Sequence, residues 1–207
     1  MHSKNIAGVF FAILIISFVG YILYWGSTKP VSVIVQAGHE ARVSGNTGAT
    51  GSLYKETEWN TIVADEVAKK LTEWNIDVKR IPAKVPKFAR AKIAVSIHFD
   101  SAKKPCRSGA SIGYPDKNSY DFARHWEKLY RSHFPFGWHK DNFTQNLKNY
   151  YAYKQIDAEK FLVLELGEIT CEKQTTWLHP RLKKIAHLIA YAIARELGKE
   201  VPKPKLP

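Results

Sequence analysis

The chain has 207 residues, 45% of them apolar and 13% aromatic, with 31 basic against 19 acidic side chains for a net charge of +12. That composition excludes a disordered chain and suits one domain with a sizeable core. The charge invites a polyanion such as anionic lipid, nucleic acid or a charged cell envelope. No RNA-binding signature, helix-turn-helix or zinc-finger spacing accompanies it, so nucleic acid is set aside as a partner. The basic clusters at 79–92, 103–107 and 181–184 read equally well as a solvated surface.

Residues 1–5 form a short amino terminus, expected to be cytoplasmic. Residues 6–25, IAGVFFAILIISFVGYILYW, carry no charge. At about 1.5 Å per residue a helix of that length crosses a hydrocarbon core of roughly 30 Å. Tyr21, Tyr24 and Trp25 suit an interface, and no small-x-small cleavage site follows. An uncleaved transmembrane signal anchor is expected, with a cleaved signal peptide as the alternative. Lys4 faces Lys29, Arg42 and Lys55 across the segment, so the positive-inside rule does not orient it. Residues 26–30 are a linker.

From residue 31 strands and helices alternate. Residues 31–39, VSVIVQAGH, read as a buried strand that ends in a tight Gly38 turn and presents His39 at its carboxyl end. A Gly/Ser/Thr/Asn loop follows at 40–51. Residues 56–74 form an amphipathic helix on Trp59, Ile62, Val63, Val67 and Leu71, with acids first and lysines last. A strand is expected at 76–81, a second site strand at 93–101, IAVSIHFDS, ending near His98, a short strand at 109–114 and a helix at 119–131. Residues 134–154 are aromatic and polar without a clean period, hence loop or broken helix. Residues 161–167, FLVLELG, form a strand carrying Glu165 in an apolar run. The last helix spans 180–197 and Gly198 stops it. The domain therefore covers 31–198, and residues 199–207 form a flexible basic tail. The pattern is α/β, a single domain with a mixed, mostly parallel sheet flanked by helices on both faces.

In open α/β sheets ligands bind at the carboxyl ends of strands, where His39, His98 and Glu165 all fall. Three strand ends carrying two histidines and an acid make one site the economical reading. An unpaired acid in the run around Glu165 is costly unless it has a partner or a task.

Taken in order, VIVQAGH, the Gly-rich loop, ETEWNTIVADEVAKKL, AVSIHFDS and FLVLELGEIT resemble the zinc-dependent N-acetylmuramoyl-L-alanine amidases of the type 3 class, over about residues 31–198. The resemblance implies one Zn2+ per chain on His39, Glu56 and His98, Glu165 as the catalytic acid–base, and peptidoglycan as substrate. Glu56 is preferred to Glu58 because Glu56, Asn60 and Ala64 match the family spacing. Glu58 points about 200° away on a helix. The expected protein is thus a monomeric wall amidase, anchored in the membrane with its domain outside the cytoplasm. A silent wall-binding or regulatory protein on the same fold, or a zinc peptidase or deacylase, are the alternatives.

The chain departs from the family in four places. Gln36 replaces an acid near the first histidine, which bears on how His39 is oriented. Glu40-Ala41 replaces Gly-Gly, stiffening the turn and adding charge. The stretch from Arg80 to His98 is short, as if a helix were abbreviated. Glu168 and Cys171 follow Glu165 where an aromatic and an amide are common. Cys106 and Cys171 trail two site strands and either form a disulfide or remain free thiols. His133, His139, Tyr150, Tyr151 and Tyr153 are open to a substrate-contact or a packing role, while His187 reads as structural.

Overall fold

The computed structural model describes residues 13–18 and 29–204. The chain divides into two units, 1–30 and 31–207. In the first, residues 13–18 are helical, and Ile13, Leu14, Ile15, Ile16 and Phe18 are exposed. The rest of the expected anchor and the segment 1–5 lie outside the described residues. Among the described residues no helix is long and apolar enough to cross a membrane.

The second unit is built on five strands, β1 (Val31–Ala37), β2 (Val78–Ile81), β3 (Ala89–Asp100), β4 (Ala110–Gly113) and β5 (Ile156–Glu168), in the order β2-β1-β3-β5-β4. β2, β1, β3 and β5 run parallel, and β4 joins β5 antiparallel. This is the expected mixed, mostly parallel sheet. Its central strands are covered on both faces, which is why they read as continuous apolar runs. The helices are α1 (Glu56–Glu73), α2 (Tyr120–Arg131), the single turn α3 (Gln145–Lys148), α4 (Glu172–Leu178) and α5 (Leu182–Glu196).

Strand alternation divides the core in two. Val33, Val35, Ile93, Val95, Leu162 and Leu164 pack with Trp59, Val63 and Val67 of α1, Trp126 of α2, and Ile185 and Ile189 of α5. Ile34, Ala94, Phe161 and Val163 face the other way, against Leu147, Ala152 and the aromatic segment 143–153. Helices are expected on both faces; the structure puts every long helix on one. The physical reason is the connection 82–88 between β2 and β3. It crosses the far face with Val85 over the Ile34 cluster, in irregular chain instead of a helix. The abbreviation legible between Arg80 and His98 is this crossover.

Helix ends follow backbone chemistry. After α1, Asn75 adopts φ 55°, its N–H reaching the Thr72 carbonyl at 2.9 Å and that of Ile76 reaching Leu71 at 3.0 Å. Gly198 ends α5 the same way, at φ 71°. Ile76 is thereby used in the cap, and β2 starts two residues later than expected. The tail stays on the core through Val201 instead of loosening at residue 199.

Candidate active site

Each site residue is delivered by the end of an element. β1 stops at Ala37, and the turn places His39 at φ 61°, a left-handed conformation unusual for a side chain with a Cβ. His98 on β3 and Glu165 on β5 are cross-strand partners, on the face without long helices. Glu56 is the first residue of α1 and is buried, whereas Glu58 is exposed and pairs loosely with Lys55 at 3.9 Å. The three groups His39, Glu56 and His98 are all buried, with ligand atoms within 4.8 Å of one another.

Their hydrogen bonds fix which atoms face inward. His39 Nδ1 lies 2.9 Å from the Asn46 carbonyl, which can only accept, so Nδ1 carries the proton and Nε2 is bare. For His98 the assignment starts two residues of contact away. The Gln36 amide nitrogen donates to the Ala83 carbonyl at 3.2 Å and to the Tyr151 hydroxyl at 3.0 Å. Its Oε1 is thereby turned to accept from Ser96 Oγ at 2.6 Å and Tyr150 Oη at 2.9 Å. With its proton spent on Gln36, Tyr150 accepts from His98 Nε2 at 2.9 Å. The bare atom of His98 is then Nδ1, 3.0 Å from Glu56 Oε1, and His39 Nε2 is 3.3 Å from the same oxygen.

Two imidazole lone pairs and a carboxylate oxygen therefore converge with no proton assigned between them. Acceptors converge in this way around a cation, and a His/His/carboxylate set suits zinc. The outer atoms are tied as zinc ligands require. Glu56 Oε2 accepts from the Ala49 amide at 2.8 Å, and Asn60 Nδ2 bridges the Gly38 carbonyl at 2.9 Å and Glu56 Oε1 at 3.3 Å. Burial opposes charge on Glu56, but the two imidazoles facing it, whenever they carry a proton in place of a cation, more than offset burial and hold the carboxyl well below the usual range. Burial pushes His98 down; for His39 the pull of Glu56 exceeds burial, and its pKa is raised.

Glu165 stands beside this set without joining it. Its Oε2 is out of solvent contact and has no hydrogen-bond partner. Burial, reinforced by the charges of Glu56 and Asp100, pushes its carboxyl well above the usual range. Both groups open into one cleft of about 470 Å³, lined also by Arg42, Tyr151 and Asp100.

This arrangement lies within a stretch, residues 33–195, that matches the profile of the N-acetylmuramoyl-L-alanine amidases. The chain belongs to that amidase family, type 3 class. Solved structures share its fold. AmiC2 of Nostoc punctiforme, an N-acetylmuramoyl-L-alanine amidase, is 18% identical with a TM-score of 0.62, covering 83% of this chain and 99% of its own. The catalytic domain of CwlV from Bacillus (Paenibacillus) polymyxa is 20% identical with a TM-score of 0.64, covering 82% and 99%. An amidase from Clostridium difficile 630 is 17% identical with a TM-score of 0.63, covering 83% and 99%. No curated protein sequence matches the chain.

One cleft brings together His39, Glu56, His98 and Glu165, and the structure gives the departures physical meaning. Gln36 orients His98 through Tyr150, and not His39, which the Asn46 carbonyl holds. Glu40 does not charge the cleft: it is turned outward and paired bidentately with Arg80, one contact at 2.8 Å. Ala41 adopts φ 60°, so the turn without its glycines is strained as well as stiff. Glu168 is fully buried and accepts from the amides of Cys106 at 2.8 Å and Ser108 at 2.6 Å. Cys106 and Cys171 form a disulfide, Cα to Cα 4.6 Å, over the same loop. His139 is outside the cleft, stacked on Phe143 at 4.2 Å, and His187 pairs with Glu66 at 2.8 Å. The roles of Tyr150 and Arg42 are missing from the sequence reading. An aromatic cluster and a Gly-rich loop flag their neighbourhoods, but nothing in the sequence assigns those two side chains.

Proposed function

We propose that this amidase hydrolyses the amide between the lactyl group of N-acetylmuramic acid and L-alanine in peptidoglycan, with zinc held by His39 Nε2, Glu56 and His98 Nδ1 and with Glu165 as the acid–base. The observation that carries the reading is the acceptor-only convergence of those three groups beside a half-buried carboxyl whose Oε2 is out of solvent contact and unpartnered. A zinc ion bound there supplies Lewis acidity towards the scissile carbonyl and acidifies water.

The protein's own groups account for the proton. Glu165 Oε2 makes no hydrogen bond that would compete for it, and burial makes the carboxylate a stronger base than an exposed one. It takes a proton from the attacking water as the C–O bond forms. It then delivers that proton to the leaving nitrogen as the C–N bond breaks, and the second water proton, lost from the new carboxyl group, is taken up by the freed amine, giving a carboxylate on the lactyl group and the ammonium of L-alanine. Asn46, Tyr150, Ala49 and Asn60 hold the three ligands in place, so little reorganisation is needed during turnover. Wall-side action fits the disulfide, which persists in oxidising compartments, and the uncharged stretch 6–25 would hold the domain at the membrane.

The test is Glu165→Gln on purified protein and purified peptidoglycan. The variant is expected to keep about one zinc per chain while turnover falls by about 10²–10⁴-fold. Loss of zinc would make Glu165 a ligand, and unchanged turnover would remove it from the chemistry. New L-alanine amino termini in the wild-type product distinguish an amidase from a peptidase cutting elsewhere in the stem.

A further inference from the structure

Arg42 is the only lysine or arginine lining the cleft among the described residues. Arg80, Arg90, Arg124 and Arg131 each pair with a carboxylate, and Arg42 forms no such ion pair. It is nonetheless held in place. Its Nη1 donates to the Asn46 carbonyl at 3.1 Å, and its guanidinium lies 4.8 Å over the Tyr151 ring. The acid next in the turn, Glu40, is committed to Arg80 and Thr61. A half-buried guanidinium fixed by a carbonyl and a ring, with its fork unmatched, is a receptor for a carboxylate.

Its position limits which carboxylate. The Asn46 carbonyl accepts from both His39 Nδ1 at 2.9 Å and Arg42 Nη1 at 3.1 Å. The two nitrogens are therefore no more than about 6 Å apart, and the guanidinium borders the ligand cluster. In the substrate class proposed above, the residue after L-alanine is joined onward through its side-chain carboxyl, which leaves its α-carboxyl free or amidated. At about 3.6 Å per extended residue, that group lies roughly 6 Å from the scissile nitrogen. We infer that Arg42 binds the free α-carboxylate of the second stem residue and makes the enzyme select stems in which that group is not amidated. The inference rests on the amidase reading.

Two synthetic N-acetylmuramoyl tripeptides, identical except that this α-carboxyl is free in one and amidated in the other, test both separately. Wild type is expected to cleave the free acid with a kcat/KM about 10- to 100-fold higher, as charge-assisted hydrogen bonds imply. In Arg42→Gln the ratio should fall to within about two-fold, and Arg42→Lys should restore only part of it. Calorimetric titration of Glu165→Gln with the same compounds should show the same preference in Kd, lost when Arg42→Gln is added. Equal cleavage of both compounds by wild type, or a preference that survives Arg42→Gln, overturns the assignment. If wild type cleaves neither compound, the amidase reading fails instead. The calorimetric ratio then still decides whether Arg42 binds the carboxylate.

Discussion

Gly38→Ala probes the proposed metal cluster from an unexpected side. Gly38 is not in the left-handed region, so alanine can adopt its backbone conformation. What a Cβ would meet is the His98 ring, at 2.2 Å from Cε1, 2.3 Å from Nε2 and 2.6 Å from Nδ1. To regain ordinary contact at about 3.4 Å the imidazole must retreat by about 1.2 Å. Metal–ligand distances tolerate about 0.2 Å, so the shift takes Nδ1 out of range and breaks the bond of Nε2 to Tyr150. We expect zinc affinity to fall at least about 100-fold, which is the upper end of what losing a supporting hydrogen bond costs. The fold should survive, since overpacking of this kind costs about 1–3 kcal/mol, or roughly 2–12 °C in Tm for a domain of this size. Competition against a chromophoric chelator reads the affinity, and circular dichroism with melting of chelated protein reads the fold. Zinc affinity within about three-fold of wild type in a folded variant would refute the placement of His98 Nδ1 in the ligand set.

Tyr150→Phe removes the acceptor from His98 Nε2 while keeping the ring, and zinc affinity should drop about 10–100-fold; an unchanged value would break the Gln36–Tyr150–His98 relay. The Cys106–Cys171 bond joins residues 65 apart in sequence, for which loop entropy gives about 4 kcal/mol of stabilisation. Cys106→Ser should therefore lower Tm by roughly 8–16 °C, and two titratable thiols in non-reduced, denatured wild type would deny the bond altogether. Glu40 is held below its ordinary pKa first by its hydrogen bond to Arg80. The unfolded chain thus binds more protons in the acid range, and the contribution of Glu40 is full above about pH 4.5 and lost as pH falls through the folded value. Glu40→Gln should flatten the acid limb of a stability–pH curve, and an identical limb would show the pair to be inert.

The site strands were legible because their inner halves are buried on both faces, so His98 and Glu165 stand out near the ends of largely apolar runs and His39 in the turn just past β1. The first halves of β3 and β5 were not. Residues 89–92 and 156–160 alternate with exposed positions, and only pairing across the sheet, Ala89 with Ile156 onwards, makes them strands. α4, with seven residues, is too short for a period to show. Helix geometry allows only one of Glu56 and Glu58 to reach the site, since the two diverge around the axis, and the resemblance through Asn60 and Ala64 picked Glu56. Tyr150 could not be assigned, because its role passes through Gln36, 114 residues earlier. Arg42 is in the same position: what leaves it free for a ligand is that Arg80, 40 residues past Glu40, takes the nearby acid.

The strand order also sets when the enzyme can exist. β1 carries the turn to His39, yet Glu165 arrives on β5, the last strand made, which inserts between β3 and β4 and not at an edge. A nascent or truncated chain ending before residue 156 holds His39, Glu56 and His98 around the three strands β2-β1-β3, with β4 unpaired and Cys106 waiting for Cys171. Long-range pairing of this kind is slow to form. On the proposed mechanism, synthesis therefore passes through no active fragment: the capacity to cut a wall would appear only when the strand carrying Glu165 closes the sheet.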